Sequence, residues 1–257
     1  MSNLRIAAIQ TSLIWESPKQ NLVHFDQVFK SLTSKVDLII LPEMFSTGFS
    51  MNSHILAVSM ESEHVEWMQR KAKEYNAAIT GSLIIKENGQ HFNRLLFVYP
   101  DGKKEYYDKR HLFSLAGEQN HYTPGEAQKI VELKGFRIAL NICYDLRFPV
   151  WSRNNDQYDM ALYVANWPAK RSYSWSTLLK ARAIENQTFV VGVNRIGKDE
   201  NGLDYSGDSA IINFDGSTLQ ESQKEEVLYQ SLNLDELQAF RSKFQFLNDR
   251  DAFTIEY

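Results

Sequence analysis

The sequence predicts a single α/β domain built on one large mixed sheet or on two packed sheets. Three features predict it. Short apolar runs alternate with helix-like segments from the start, hairpin signals take over beyond Ile85, and no linker, low-complexity tract or internal repeat breaks the chain.

Taken in order, Leu4 to Gln10 reads as a strand, with Leu4, Ile6 and Ala8 set against Arg5, Ala7 and Ile9. Ser17-Pro18 supplies a cap and a proline for the first helical position. Leu22, Phe25, Phe29 and Leu32 then follow at 3-4-3 spacing, so a helix is expected. The apolar run Val36 to Leu41 suits a strand covered on both faces. Val65, Met68, Ala72 and Tyr75 mark a second amphipathic helix, followed by a strand from Ala77 to Ile85.

Pro100-Asp101-Gly102 should turn the chain between Leu95–Tyr99 and Glu105–Asp108. Lys134-Gly135 should do the same between Ile130–Leu133 and Phe136–Ile142. Met160 to Ala165 is a further strand, and Trp175 to Asn186 is rich in helix formers. Phe189–Arg195 and Asp208–Phe214 read as strands around a loop from Gly197 to Gly207, and Asp215-Gly216 opens another turn. Asn233 with Glu236 resembles a capping box ahead of a helix from Leu234 to about Phe244. The tail from Gln245 to Tyr257 carries Phe246, Leu247, Phe253, Ile255 and Tyr257. It is too apolar to hang free and should dock on the domain or on a partner subunit.

Composition narrows the function. The 257 residues are 43% hydrophobic and 23% charged, ordinary values for a globular chain that needs no staples. The 28 basic and 32 acidic residues give a net charge of −4 without a block of like sign, which argues against nucleic-acid and membrane-surface partners. A single cysteine cannot form an internal disulfide or a thiolate zinc site, so the reducing cytoplasm is the expected compartment. The 6 histidines lack ligand spacing, so no metal is expected, and nothing calls for a cofactor. The N-terminus lacks an export signal, and no apolar run approaches the ~20 residues of a membrane span.

Three strand ends are where chemistry belongs, because ligands of open α/β sheets bind beyond the carboxyl ends of strands. They are Leu41-Pro42-Glu43, Ile142-Cys143-Tyr144-Asp145 and Asn166-Trp167-Pro168. Each has a plain alternative: Cys143 as a buried small apolar residue, Glu43 as a cap or ion-pair partner, and Lys109 as a solvated charge at a strand end.

Read together, Leu41-Pro42-Glu43, Tyr107-Asp108-Lys109-Arg110-His111-Leu112-Phe113 and Asn141-Ile142-Cys143-Tyr144-Asp145-Leu146-Arg147-Phe148-Pro149 resemble the three signature motifs of the nitrilase superfamily of carbon–nitrogen hydrolases. The resemblance covers essentially the whole chain. Lys-Arg-His-Leu-Phe, Gly117 to Gly125 and Val164 to Ala169 resemble the bacterial omega-amidase branch. It implies an α-β-β-α sandwich, with two packed mixed sheets flanked by helices, and a homodimer or larger homo-oligomer. The implied partner is a small amide, the omega-amide of a 2-oxo dicarboxylic acid, cleaved to the acid and ammonia.

The resemblance also implies roles. Cys143 is the nucleophile that forms a thioester, and only its thiolate attacks. Glu43 is the general base, Lys109 and the backbone N–H of Tyr144 bind the oxyanion, and Glu118 orients the amide. On this basis Lys109→Ala should cost turnover without unfolding the protein. Arg171 is expected to hold the far carboxylate of the substrate, with Trp167 and Phe45 as walls. Arg147 is expected to pair with a buried carboxylate and support the turn of the nucleophile. The alternatives are a cysteine–histidine hydrolase using His111 or His121, a non-catalytic binding protein on the same fold, and a relative acting on deaminated glutathione, an N-carbamoyl compound or a nitrile.

Overall fold

The computed structural model describes residues 3–155 and 157–256, so Tyr257, named in the tail above, lies outside the described residues. In chain order the elements are β1 (Asn3–Gln10), α1 (Pro18–Lys30), β2 (Leu38–Ile40), the single turn α2 (Ser53–Leu56), α3 (Glu63–Tyr75), β3 (Ala78–Glu87), β4 (Gln90–Val98) and β5 (Lys104–Asp108). They continue with β6 (Ile130–Leu133), β7 (Phe136–Ile142), β8 (Met160–Ala165), α4 (Ser172–Asn186), β9 (Phe189–Asn194), β10 (Ile196–Lys198), β11 (Asp204–Ser206), β12 (Ser209–Ile212), β13 (Thr218–Ser222), β14 (Glu226–Asn233) and α5 (Leu234–Lys243).

Two six-stranded mixed sheets result, in the orders β14-β1-β2-β3-β4-β5 and β13-β12-β9-β8-β7-β6. Side-chain alternation sorts the apolar residues into layers. Ile6, Ala8, Leu38 and Ile40 from the first sheet meet Leu140, Ile142, Leu162, Val164 and Val191 from the second. The opposite face of the first sheet, with Ala7, Ile9 and Ile39, packs on Phe25 and Phe29 of α1 and on Val65 and Met68 of α3. The opposite face of the second sheet packs on Trp175, Leu179 and Ala183 of α4. The arrangement is the α-β-β-α sandwich in a single domain.

Register then places the strand ends. β7, β8 and β9 run parallel, with Ile142 beside Val164 and Val164 beside Val193, so Cys143 and Asn166 leave the same edge of the second sheet. β2 is shorter than the apolar run around it, because Pro42 stops the ladder after Leu41 N–H bonds to the Thr80 carbonyl at 2.8 Å. Gly81 lets this segment approach closely, since a Cβ there would sit 2.8 Å from Leu41 Cβ and 3.0 Å from the Phe45 ring.

Several boundaries differ from the sequence expectation. β4 begins at Gln90 rather than Leu95, α4 begins at Ser172 rather than Trp175, and the loop from Gly197 to Gly207 contains the β10–β11 hairpin. β13 and β14 were not expected, yet β14 pairs antiparallel with β1 over its full length. The α5 cap forms as read, with Asn233 Oδ1 accepting from the N–H groups of Asp235 and Glu236. In the C-terminal segment, Ile255 packs on the inter-sheet core while Phe246 and Phe253 remain exposed. No helix among the described residues is long and apolar enough to cross a membrane.

Candidate active site

Glu43, Lys109 and Glu118 converge in a fully buried cluster. Lys109 Nζ donates to Glu43 Oε1 at 3.0 Å and to Glu118 Oε1 and Oε2 at 3.1 and 2.9 Å. Asn93, inside β4, donates to Glu43 Oε1 at 2.8 Å and reaches Glu118 Oε1 at 3.4 Å. The second oxygen of Glu43 accepts the Asn166 N–H at 2.7 Å, and Phe113 N–H bonds to Glu118 Oε2 at 2.6 Å.

Cys143 joins the cluster from the second sheet, near enough that the charges of Glu43, Lys109 and Glu118 all act on its thiol. Its backbone lies in the left-handed region, φ 45°, so the side chain leaves a sharp turn between β7 and the 3-10 turn Cys143–Arg147. Such a conformation in a non-glycine residue costs roughly 1–3 kcal/mol and needs support. Asp145 provides it. One oxygen accepts the Ile142 N–H at 2.9 Å and the Tyr107 hydroxyl at 2.8 Å; the other accepts the His111 N–H at 3.0 Å and meets its Nδ1 at 2.8 Å.

The electrostatics follow from two carboxylates sharing one ammonium in a dry site. Burial alone would pull the Lys109 ammonium down, but Glu118 and Glu43 outweigh it and hold the ammonium above its usual range. Burial pushes Glu118 up, against the pull of Lys109, and the Glu43 charge adds to the rise. Burial also pushes the Cys143 thiol well up, and Glu43 reinforces this while Lys109 opposes it. The resting Cys143 side chain is therefore a neutral thiol beside a carboxylate, not a preformed thiolate.

Lys109 and Cys143 line a cavity of about 400 Å³, with Glu43 and Glu118 buried behind them; its walls include Phe49, Tyr144, Trp167, Arg147, Arg171 and Tyr205. Trp167 lies in this wall, its Nε1 bonded to the Arg171 carbonyl at 2.8 Å. Arg171 also lines the cavity, its guanidinium 5.1 Å from the centre of the Phe113 ring. Tyr144 faces the cavity from the turn, at whose start the N–H groups have no acceptor within the turn.

Three expectations require correction. Phe45 is not a wall: it is fully buried behind the site, edge-on to Phe25 at 5.5 Å and beside Trp67 at 5.9 Å, and Phe49 takes the wall position. Among the described residues Arg147 pairs with no buried carboxylate; it bonds Ser174 Oγ at 2.9 Å and lies 4.9 Å from the Trp167 ring, in the cavity wall. His111 is held by Asp145 and stacked on Phe148 at 3.7 Å, while His121 is exposed, so neither is placed as the base of a cysteine dyad. Asn93 and Asp145 were missed as site residues. Asn93 sits in the polar first half of β4, next to Arg94 and ahead of the apolar stretch Leu95 to Val98, so no local signal marked it.

A half-buried cysteine on a strained turn, beside two buried glutamates and a lysine where two sheets meet, defines the site of a hydrolase. The chain belongs to the carbon–nitrogen hydrolase family, whose model matches residues 5–242. It is 46% identical to omega-amidase YafV of Yersinia enterocolitica over 99% of this chain and 100% of that protein. It is 36% identical to 2-oxoglutaramate amidase of Paenarthrobacter nicotinovorans, over 97% and 90% of the two chains. Among solved structures, a CN-hydrolase superfamily protein of Xanthomonas campestris with an arsenic adduct in its active site superposes with a TM-score of 0.97. That protein is 42% identical, over 100% of both chains.

Proposed function

We propose that this enzyme is an omega-amidase that cleaves the terminal amide of 2-oxo dicarboxylic acid monoamides, such as 2-oxoglutaramate and 2-oxosuccinamate, to the acid and ammonia. The observation that carries the reading is one cavity lined by the Cys143 thiol, the Lys109 ammonium and the Arg171 guanidinium, with the buried Glu43 and Glu118 carboxylates bonded directly behind that ammonium. The names of the omega-amidase and 2-oxoglutaramate amidase relatives support it.

In this mechanism Glu43 takes the thiol proton as Cys143 Sγ bonds to the amide carbon. Moving the proton as the bond to carbon forms avoids the cost of a free thiolate in a net negative site. The developing oxyanion lies against Lys109 Nζ and the Tyr144 N–H, a stabilisation worth typically ~3–4 kcal/mol per donor. Two N–H bonds of Lys109 suffice for its carboxylates, leaving the third for this oxygen. The C–N bond then breaks, Glu43 returns the proton to the departing ammonia, and the thioester remains. Water, deprotonated by Glu43, hydrolyses the thioester and frees the acid. Glu118 anchors Lys109 and through it orients the amide. Arg171 pairs with the far carboxylate of the substrate, an arrangement for which a planar guanidinium is suited.

We further take the working form to be a cytoplasmic homodimer or larger homo-oligomer, with Tyr173 and Ile184, exposed on α4, as apolar surface for the contact. A sedimentation experiment that finds only monomer would remove this part. The central test is ammonia release from 2-oxoglutaramate, 2-oxosuccinamate, glutamine, deaminated glutathione and a simple nitrile. Preference for the two 2-oxo acids is expected. Preference for deaminated glutathione or the nitrile would overturn the substrate assignment.

A further inference from the structure

Asn166 holds more of the site than its place at a strand end suggests. Its backbone N–H donates to Glu43 Oε2 at 2.7 Å, and its side-chain Nδ2 donates to the Glu43 carbonyl at 2.6 Å. The residue is only 4% exposed, lines the cavity, and keeps its Oδ1 buried with no hydrogen-bond partner among the described residues. The segment is not free to turn that oxygen away. Asn194 Oδ1 accepts the Trp167 N–H at 2.8 Å, and Asn194 Nδ2 donates to the Trp167 carbonyl at 2.9 Å. A buried acceptor without a donor costs folding free energy, so a fixed one in the wall of a reactive cavity calls for an explanation.

A scissile primary amide supplies the matching chemistry. With its carbon against Cys143 Sγ and its oxygen toward Lys109, its nitrogen presents two N–H donors on the remaining side. The acceptors nearby are largely spent, since both Glu43 oxygens and both Glu118 oxygens already take protein donors. Asn93 Oδ1 is also unpartnered, but Asn93 is not among the residues lining the cavity. We infer that Asn166 Oδ1 accepts an N–H of the amide being cleaved and thereby sets selectivity for amides over the corresponding esters, which lack that donor. This rests on the amidase reading above and makes Asn166 a specificity-determining residue. It does not alter the bonds made and broken: the sulfur–carbon bond forms, the carbon–nitrogen bond breaks, and the proton passes through Glu43.

The experiment compares kcat/KM for 2-oxoglutaramate and for the 5-methyl ester of 2-oxoglutarate in the wild type, Asn166→Ala and Asn166→Asp. Asn166→Ala should lower the amide-to-ester ratio about three- to tenfold, the loss of one neutral hydrogen bond. Asn166→Asp keeps an oxygen in place but loses the bond to the Glu43 carbonyl, so both rates should fall while the ratio does not. Ester turnover shows that each variant is folded, and Asn166→Leu, of similar volume, reads the same ratio where the alanine variant does not fold. A ratio unmoved in the apolar variants, with both rates falling together, would leave Asn166 a purely structural brace and overturn the inference. A wild type that releases no ammonia from any amide would sink the amidase reading and this inference with it.

Discussion

Replacing Lys109 by methionine tests the charge balance of the site. Lys109 Nζ lies 3.0 Å from Glu43 and 2.9 Å from Glu118, with all three side chains fully buried. Removing one partner of a buried ionic group typically costs 3–5 kcal/mol, because the remaining charge has neither water nor a counter-ion. Protonating one carboxyl offers relief; lifting it from its ordinary ~4.3 to neutrality costs about 4 kcal/mol at pH 7. The loss at pH 7 should therefore be about 3–4 kcal/mol. The sign of its pH dependence follows. In the variant a folded-state carboxyl has a raised pKa, so the protonated form favours folding at low pH and that stabilisation is lost as pH rises. The deficit relative to wild type should shrink on going from pH 7 to pH 5, by up to about 1.4 kcal/mol per pH unit. Urea unfolding followed by circular dichroism at pH 5, 6, 7 and 8, for both proteins, reads the difference. Ammonia release should fall at least about 100-fold. A deficit below about 1 kcal/mol at pH 7, one that does not change with pH, or near-normal turnover would refute the reasoning. Beyond its place at the oxyanion, the lysine thus also holds two carboxylates in place.

Other outcomes follow from the same geometry. Iodoacetamide should label Cys143 slowly at neutral pH and accelerate through pH 9 without levelling off near ~8.5, because burial and then Glu43 push the thiol up; a plateau near 8.5 would contradict the neutral-thiol state. Glu43→Gln should abolish ammonia release yet speed that labelling at pH 7, since one negative charge leaves the site, and slower labelling would count against the assigned charge balance. Arg171→Gln should raise KM for 2-oxoglutaramate by at least about tenfold, as loss of a charge-assisted pair implies, while sparing a neutral amide such as propionamide; equal effects on both would remove its carboxylate role. Phe45→Ala should cost about 3–5 kcal/mol in urea unfolding with KM unchanged, because the ring packs behind the site and not in its wall.

What could be read from the chain depended on whether a signal was local. Ser17-Pro18 with its apolar spacing announced α1, and Pro42 and Cys143 marked strand ends because a ladder or an apolar run visibly stops there. β14 escaped because it alternates polar and apolar residues weakly and owes its place to β1, far away in sequence. Phe45 and Phe49 look alike on paper, and only the close approach over Gly81 sends the first inward. Arg147 was read from the company of its motif, whereas the brace on the nucleophile's turn proved to be Asp145, two residues away from the thiol. Asn166 was marked only as a strand end, and Asn93 not at all, because each acts on a glutamate that only the folded sandwich brings near.

The antiparallel match of β14 with β1 has a consequence for how the enzyme is held together. Glu43, Lys109 and Glu118 precede the exposed backbone at 126–127, whereas Cys143 and Asn166 follow it. A nick there would give two fragments that are each inert alone. The later fragment nonetheless carries the strand that borders the earlier one's sheet, a built-in zipper for rejoining. Recovered ammonia release on mixing such halves would make this protein a reporter of its own reassembly.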